Sequence, residues 1–314
     1  MAHLIETMAY ANEVPWHGLG NNINADSPIE DWQRQSGLDW TVSKRPVRFG
    51  DFDWDTSGLK TFKDKFVLAR DTDNTPFSVV SDRYKPVQPK DVLEFFRDLI
   101  ATHGMTIETA GSLKDGKRIW ALAKTGDAHK VLGSDLVDSY LLLATSYDLT
   151  FSTLAQFTSV RVVCNNTLQQ SLKDYISRVS IPHFRDFNAT DIHEQLGLGR
   201  AQWGAFSQAL DAIAKIKLDS AKAKEVLGKV FVTPEKDITY VDPQVEKILR
   251  LFEGKAIGAD IAGQTGWGLV NAVTEYADHH KRARSQGNRL DNAWFGTTAN
   301  IKDAVFHEVL ELTS

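Results

Sequence analysis

The sequence predicts an α+β fold: a mostly antiparallel β-sheet with a packed helix, followed by a helical C-terminal region. Three observations carry that expectation. Residues 1–187 are rich in β-branched and alternating apolar-polar runs, one amphipathic helix interrupts them, and from residue 188 the apolar period lengthens from two to about 3.6 residues.

The strands are expected in WTVSKRPVRF (40–49), KTFKDKFVLAR (60–70), PFSVVSD (76–82), KRIWALAK (117–124) and YLLLATSY (140–147). The interrupting helix is KDVLEFFRDLIATHG (90–104). Pro89 stands just before its start, Val92, Phe95, Phe96, Leu99 and Ile100 form one stripe, and Gly104 stops it. In SVRVVCNNTLQQSL (159–172) a strand would put Val160, Val162 and Cys164 on one face, and Asn165, Asn166 and Thr167 would end it and cap a helix TLQQSLKDYI. Further on, Trp203, Phe206, Leu210 and Ile213 keep helical spacing, Asp242-Pro243 reads as an N-cap followed by a first-turn proline, and Val245, Ile248, Leu249 and Phe252 continue the period. The chain closes with two helices, 266–284 and 297–312, joined by SQGNRLDNAWFG. The expected organisation is a β-rich core (1–187) and a helical region (188–314) packed on it, with no Pro/Ser-rich linker between them.

Composition narrows the class. The 314 residues are 42% apolar, enough for a real core, and one cysteine excludes an intramolecular disulfide. A structural zinc site is not expected, no cofactor motif is present, and a reducing compartment such as the cytoplasm is expected. The N-terminus lacks a basic segment followed by an apolar one, and no run of 18 apolar residues occurs, so neither secretion nor a membrane partner is expected. The net charge of −5 means that any polyanion must be met by a local patch.

Cys164 shares its expected face with valines, which raises a thiol pKa and favours a buried structural role over a nucleophile. DFDWD (51–55) alternates carboxylates like a calcium loop, but Thr56 and Phe62 stand where glycine and glutamate are needed, so a hairpin with its acids toward water is the better reading. AGQTGWG before a helix lacks both nucleotide-binding fingerprints and reads as a turn and helix start. No nucleophile, base and orienting acid stand at a recognisable spacing, so no catalytic residue is assigned; Asp148, His183 and His279 are those a hydrolase or nuclease would use.

Cations interleaved with planar side chains suit single-stranded nucleic acid, which is held by positive grooves and aromatic faces. The candidates are Arg83, Tyr84 and Lys85; Arg118 beside Trp120; Arg161 with Asn165 nearby; and Lys281, Arg282, Arg284 and Arg289 with Trp294. The interval 276–302 has five Lys/Arg against two acids, with His279 and His280 in addition.

Several stretches together resemble the phage/plasmid-like proteins carrying the domain of unknown function numbered 932. AHLIETMAYANEVPWHGLG (2–20), VVSDRYKPVQP (79–89), VRVVCNNTL (160–168), GWGLVNAVTEYADHHKRAR and AWFGTTANIKDAVF are similar to its motifs, and together they span nearly the whole chain. SYDL (146–149) departs from the family's His-Asp-Gly, keeping Asp148 alone. The resemblance implies a gene of phages, prophages or plasmids and no established activity. By analogy of architecture and setting, the leading expectation is a non-enzymatic protein that binds single-stranded DNA for annealing or protection and works as a homo-oligomer. The alternatives are a counter-defence factor that binds a host protein, and an unrecognised hydrolase or nuclease.

Overall fold

The computed structural model describes residues 5–12, 15, 18–50, 58–161, 166–169, 178–197, 200–231, 242–283 and 286–313. An eight-stranded sheet is built from β1 (Ile5–Tyr10), β2 (Asn21–Asn22), β6 (Thr106–Leu113), β7 (Arg118–Val131), β8 (Asp135–Ser146), β9 (Thr153–Arg161), β10 (Asn166–Gln169) and β11 (Arg178–Ile181). Its order is β10-β9-β8-β7-β6-β1-β2. β11 pairs with the first half of β9 and β10 with the second half, so the two share one edge in tandem. Every pairing is antiparallel except β1 with β2. A second sheet, β3 (Val42–Phe49), β4 (Lys60–Arg70) and β5 (Pro76–Ser81), is antiparallel throughout.

The large sheet is buried on both faces, which is why YLLLA is continuously apolar. On β7 and β8, Ile119, Ala121, Ala123, Leu141 and Leu143 point into one core, and Trp120, Leu122, Tyr140, Leu142 and Ala144 into another. The first core is closed by α1 (Ile29–Gln35), α2 (Pro89–His103) and the inner face of the small sheet. α2 buries Val92, Phe95, Phe96 and Leu99, as its stripe predicts, leaves Ile100 at the margin, and ends on Gly104 in the left-handed conformation, φ 66°. The Gln88 side chain bonds both the amide and the carbonyl of Val42, tying the start of α2 to β3.

α3 (Ala189–Leu196) adds Ile192 and Leu196 to this same core. α4 (Arg200–Lys215), α5 (Ser220–Phe231), α6 (Pro243–Arg250), α7 (Ala259–Ala262), α8 (Gly266–Glu275), α9 (Gln286–Phe295) and α10 (Thr297–Glu311) follow, with π-turns extending α6 and α8. α4, α5, α6, α8 and α10 form a helical core that takes Val131, Val137 and Leu168 from the sheet. Asp242 caps α6 through the Gln244 amide, 2.8 Å, as its pairing with Pro243 predicts.

Three expectations change. α1 was not anticipated, and α9 occupies the segment read as a joint between the last two helices. Asn166–Gln169 is a strand, not the start of a helix, because β9 leaves a free edge that these four residues pair with. Cys164, Asn165, the remainder of TLQQSLKDYI from Gln170 and DFDWD lie outside the described residues. No described helix is long and apolar enough to cross a membrane.

Candidate nucleic-acid interface

The small sheet turns one face to the core and the other to solvent. Leu68 and Val80 point inward, while their neighbours Val67 and Val79 point out, and Val79 is 54% exposed. Beyond the reach of β5, β3 and β4 continue as a two-stranded ribbon in which Phe49 faces Lys60 and Arg48 faces Thr61. Phe62 lies two residues beyond Lys60 and so shares the face of Phe49. The two rings meet edge to face, centroids 6.1 Å apart, and each remains about half exposed.

β3 and β4 carry Lys44, Arg45, Arg48, Lys60, Lys63, Lys65 and Arg70 against a single acid, Asp64. Arg45 pairs with Asp71 at 3.2 Å, Lys44 donates to the Asp82 carbonyl, and Arg70 is buried with its guanidinium 4.8 Å from the Trp40 ring. Arg48, Lys60, Lys63 and Lys65 are exposed and form no ion pair among the described residues. Asp51, Asp53 and Asp55, between the two strands, lie outside the described residues.

Ser81, register partner of Lys65, borders a hollow of about 300 Å³ that is also lined by Arg83, Tyr84, His183 and Phe184. The Tyr84 and His183 rings stack at 4.7 Å and 26°. Burial pushes the Tyr84 hydroxyl pKa up, with Asp148 adding to the shift, and the group donates to the Ser146 carbonyl. His183 has its Nε2 3.2 Å from the Phe151 carbonyl, and burial pushes its pKa down. Arg83 is exposed at the rim, whereas Lys85 turns to Asp186 at 2.7 Å.

The C-terminal candidates are distributed differently. Lys281 is half-buried, which lowers its pKa; Arg282 is exposed; Arg284 lies outside the described residues. Arg289 donates to the Asp278 carbonyl, 3.2 Å, and Lys302 is buried against the Asp278 carboxylate. Trp294 packs edge to face on Trp120, 5.7 Å, with 6% of its surface exposed, so its ring faces are spent in the sheet's second core. Arg161 ends β9 between Val137 and Asn166.

One charged cluster went unnoticed in the sequence because its members are far apart in the chain. Arg118 touches Asp148 (3.4 Å) and Asp291, Lys114 reaches Asp291 (2.9 Å), and the Arg118 guanidinium lies 5.3 Å from the Phe151 ring. Burial lowers the Arg118 pKa and Asp148 works against that shift. The cluster ties α9 to β7 and to the turn after β8, where Leu149 holds the left-handed conformation, φ 63°. Asp148 is thereby committed to Arg118 and Thr150. Among the described residues no group of three or more His, Cys, Asp or Glu could hold a metal ion.

Fold and surface together define an α+β protein whose small sheet extends as a ribbon bearing two exposed phenylalanines and several exposed cations, beside an aromatic-lined hollow. The chain belongs to the family of the domain of unknown function DUF932, whose model matches residues 76–294. No curated protein and no solved structure matches it. The hollow lies within the matched span, and the β3-β4 ribbon precedes it.

Proposed function

We propose that the protein binds single-stranded nucleic acid on the outer face of β3-β4-β5, serving annealing or protection of phage or plasmid DNA in the cytoplasm of a host. The observation that carries this reading is the exposed Phe49-Phe62 pair, with Lys60 on its own face of the ribbon, Lys65 further along β4, and Arg48 and Lys63 on the opposite face. Exposed phenylalanines gain by stacking on bases, and cations without an ion pair among the described residues gain by releasing the counterions of a phosphate chain. The two-stranded ribbon holds Phe49, Lys60 and Phe62 together on one face, so that a base and its phosphate are met side by side there. In this reading Arg83 and Arg282 extend the cationic surface, and the C-terminal cluster as a whole is secondary because its other described cations are half-buried or engaged.

The test is fluorescence anisotropy with a labelled oligothymidine across a salt series. Affinity should fall steeply with salt, with a log-log slope of about −0.7 per phosphate contact. Lys60→Glu, Lys63→Glu and Lys65→Glu together should flatten that slope by about two units or more, and Phe49→Ala with Phe62→Ala should cost roughly 1–3 kcal/mol per lost stack. Absence of binding at low salt, or a triple variant that binds like the parent, overturns the reading. A nuclease-resistant, stoichiometric host protein captured through Val79 and the two phenylalanines would replace it with the protein-binding alternative.

A further inference from the structure

The hollow beside β5 has a chemistry of its own. Its floor is a stacked, neutral pair, because the Tyr84 hydroxyl is spent on the Ser146 carbonyl and His183 Nε2 carries the proton that points at the Phe151 carbonyl. His183 Nδ1 is left as a buried acceptor with no hydrogen-bond partner among the described residues, which disfavours the imidazolium. One wall, Phe184, is 62% exposed, the most exposed of the chain's large apolar side chains among the described residues. A guanidinium, Arg83, stands at the mouth with no ion pair among the described residues. The neighbouring exposed acid Asp186 pairs with Lys85, 2.7 Å, and Asp82, next to Arg83, is exposed as well.

An aromatic floor, a projecting ring and one cation at the mouth suit a flat π-system that bears a single anion. We infer that this hollow is a one-nucleotide pocket: a base unstacked from the strand lies against Phe184 over the Tyr84-His183 pair, and its phosphate meets Arg83. The choice of a nucleotide as ligand rests on the single-strand reading. The hollow adjoins the basic face at the Ser81-Lys65 pair, so a strand running along β4 can deliver a base into it. Its place inside the family span, while the ribbon lies outside, makes it the portion of the interface that belongs to the shared domain.

The test titrates the full chain with deoxyadenosine 5′-monophosphate, deoxyadenosine and inorganic phosphate by saturation-transfer NMR. A parallel anisotropy titration uses oligothymidine. Phe184 and Arg83 are exposed, so their alanine variants keep the fold, checked by circular dichroism. The expected result is saturable binding of the monophosphate, weakened roughly tenfold or more by Phe184→Ala. Arg83→Ala should weaken the monophosphate and leave deoxyadenosine unchanged, and phosphate alone should bind least. No saturable monophosphate binding, or binding indifferent to both variants, overturns the pocket. If the oligonucleotide still binds in that case, the outer-face reading survives without it. Monophosphate binding that depends on Phe184, in a protein that ignores oligonucleotides, upholds the pocket and removes the extended surface instead.

Discussion

Lys302 illustrates how a single residue can mislead a charge count. It sits in the basic C-terminal interval, yet its side chain is 2% exposed and its Nζ lies 2.7 Å from Asp278 Oδ1. Burial drives its pKa down and the Asp278 carboxylate opposes that shift. A buried ion pair adds little net stability, but removing one partner strands the other in the core. Asp278→Ala should therefore destabilise the protein by about 3–5 kcal/mol, and adding Lys302→Met should recover most of the loss. Urea unfolding of the two variants checks this; equal stabilities would show that Lys302 finds another route to solvent. Trp294 and Tyr84 teach the same lesson for rings: both were read as stacking faces, and Trp294 is packed in a core while Tyr84 shows only the side that lines the hollow.

At the scale of elements, strand pairing depends on a few close approaches. Gly111 on β6 sits opposite Met8 on β1, where an added Cβ would come within 2.5 Å of the Thr7 carbonyl, 2.6 Å of the Met8 Cβ and 2.8 Å of the Trp120 ring. Gly111→Ala must push β1 outward, at a cost of about 1–3 kcal/mol. Hydrogen exchange should quicken in β1 before β7, whereas uniform exchange across the sheet would place the strain elsewhere. α9 is fastened by Asp291 to Arg118 and Lys114 and by Phe295 stacked on Phe151 at 4.7 Å. Its amphipathic pattern is short and lies in a polar stretch, which is why the segment did not announce a helix. The basic ribbon was hidden for another reason. Arg48, Phe49, Lys60, Phe62 and Lys63 are plain in the sequence as parts of two strands, but only the register sets Phe49 opposite Lys60 and beside Phe62.

The whole molecule responds to pH through two half-buried imidazoles. His183 and His193 are both pushed below the ordinary value of 6.5, chiefly by burial, although Asp98 offsets part of the shift at His193. Below 6.5 the unfolded chain takes up protons that the folded chain refuses, so stability is full above that pH and falls as pH drops toward the lowered values. Melting temperatures between pH 7.5 and 5 should decline, and His183→Gln with His193→Gln should flatten the decline; an unchanged slope would assign it to other groups. Charge acts at this scale as well. The chain is negative overall, at −5, while β3 and β4 carry several exposed cations, so the proposed association with a polyanion would depend on orientation and be screened by salt. Annealing would further require several copies on one strand, which makes a homo-oligomer the expected state; sedimentation with and without oligonucleotide measures it.

The sequence by itself determined the α+β class, the strands β3, β4, β5, β7 and β8, the helix α2 with its Gly104 stop, the helical C-terminal third and the family, because each is written in local periodicity, capping residues or contiguous motifs. Tertiary structure alone decided which cations remain free and which rings remain open. Whether a lysine meets water or a carboxylate depends on residues more than a hundred positions away, as Lys85 with Asp186 and Arg118 with Asp291 show. Solvent exposure is a property of the packed assembly of elements, and no local pattern encodes it.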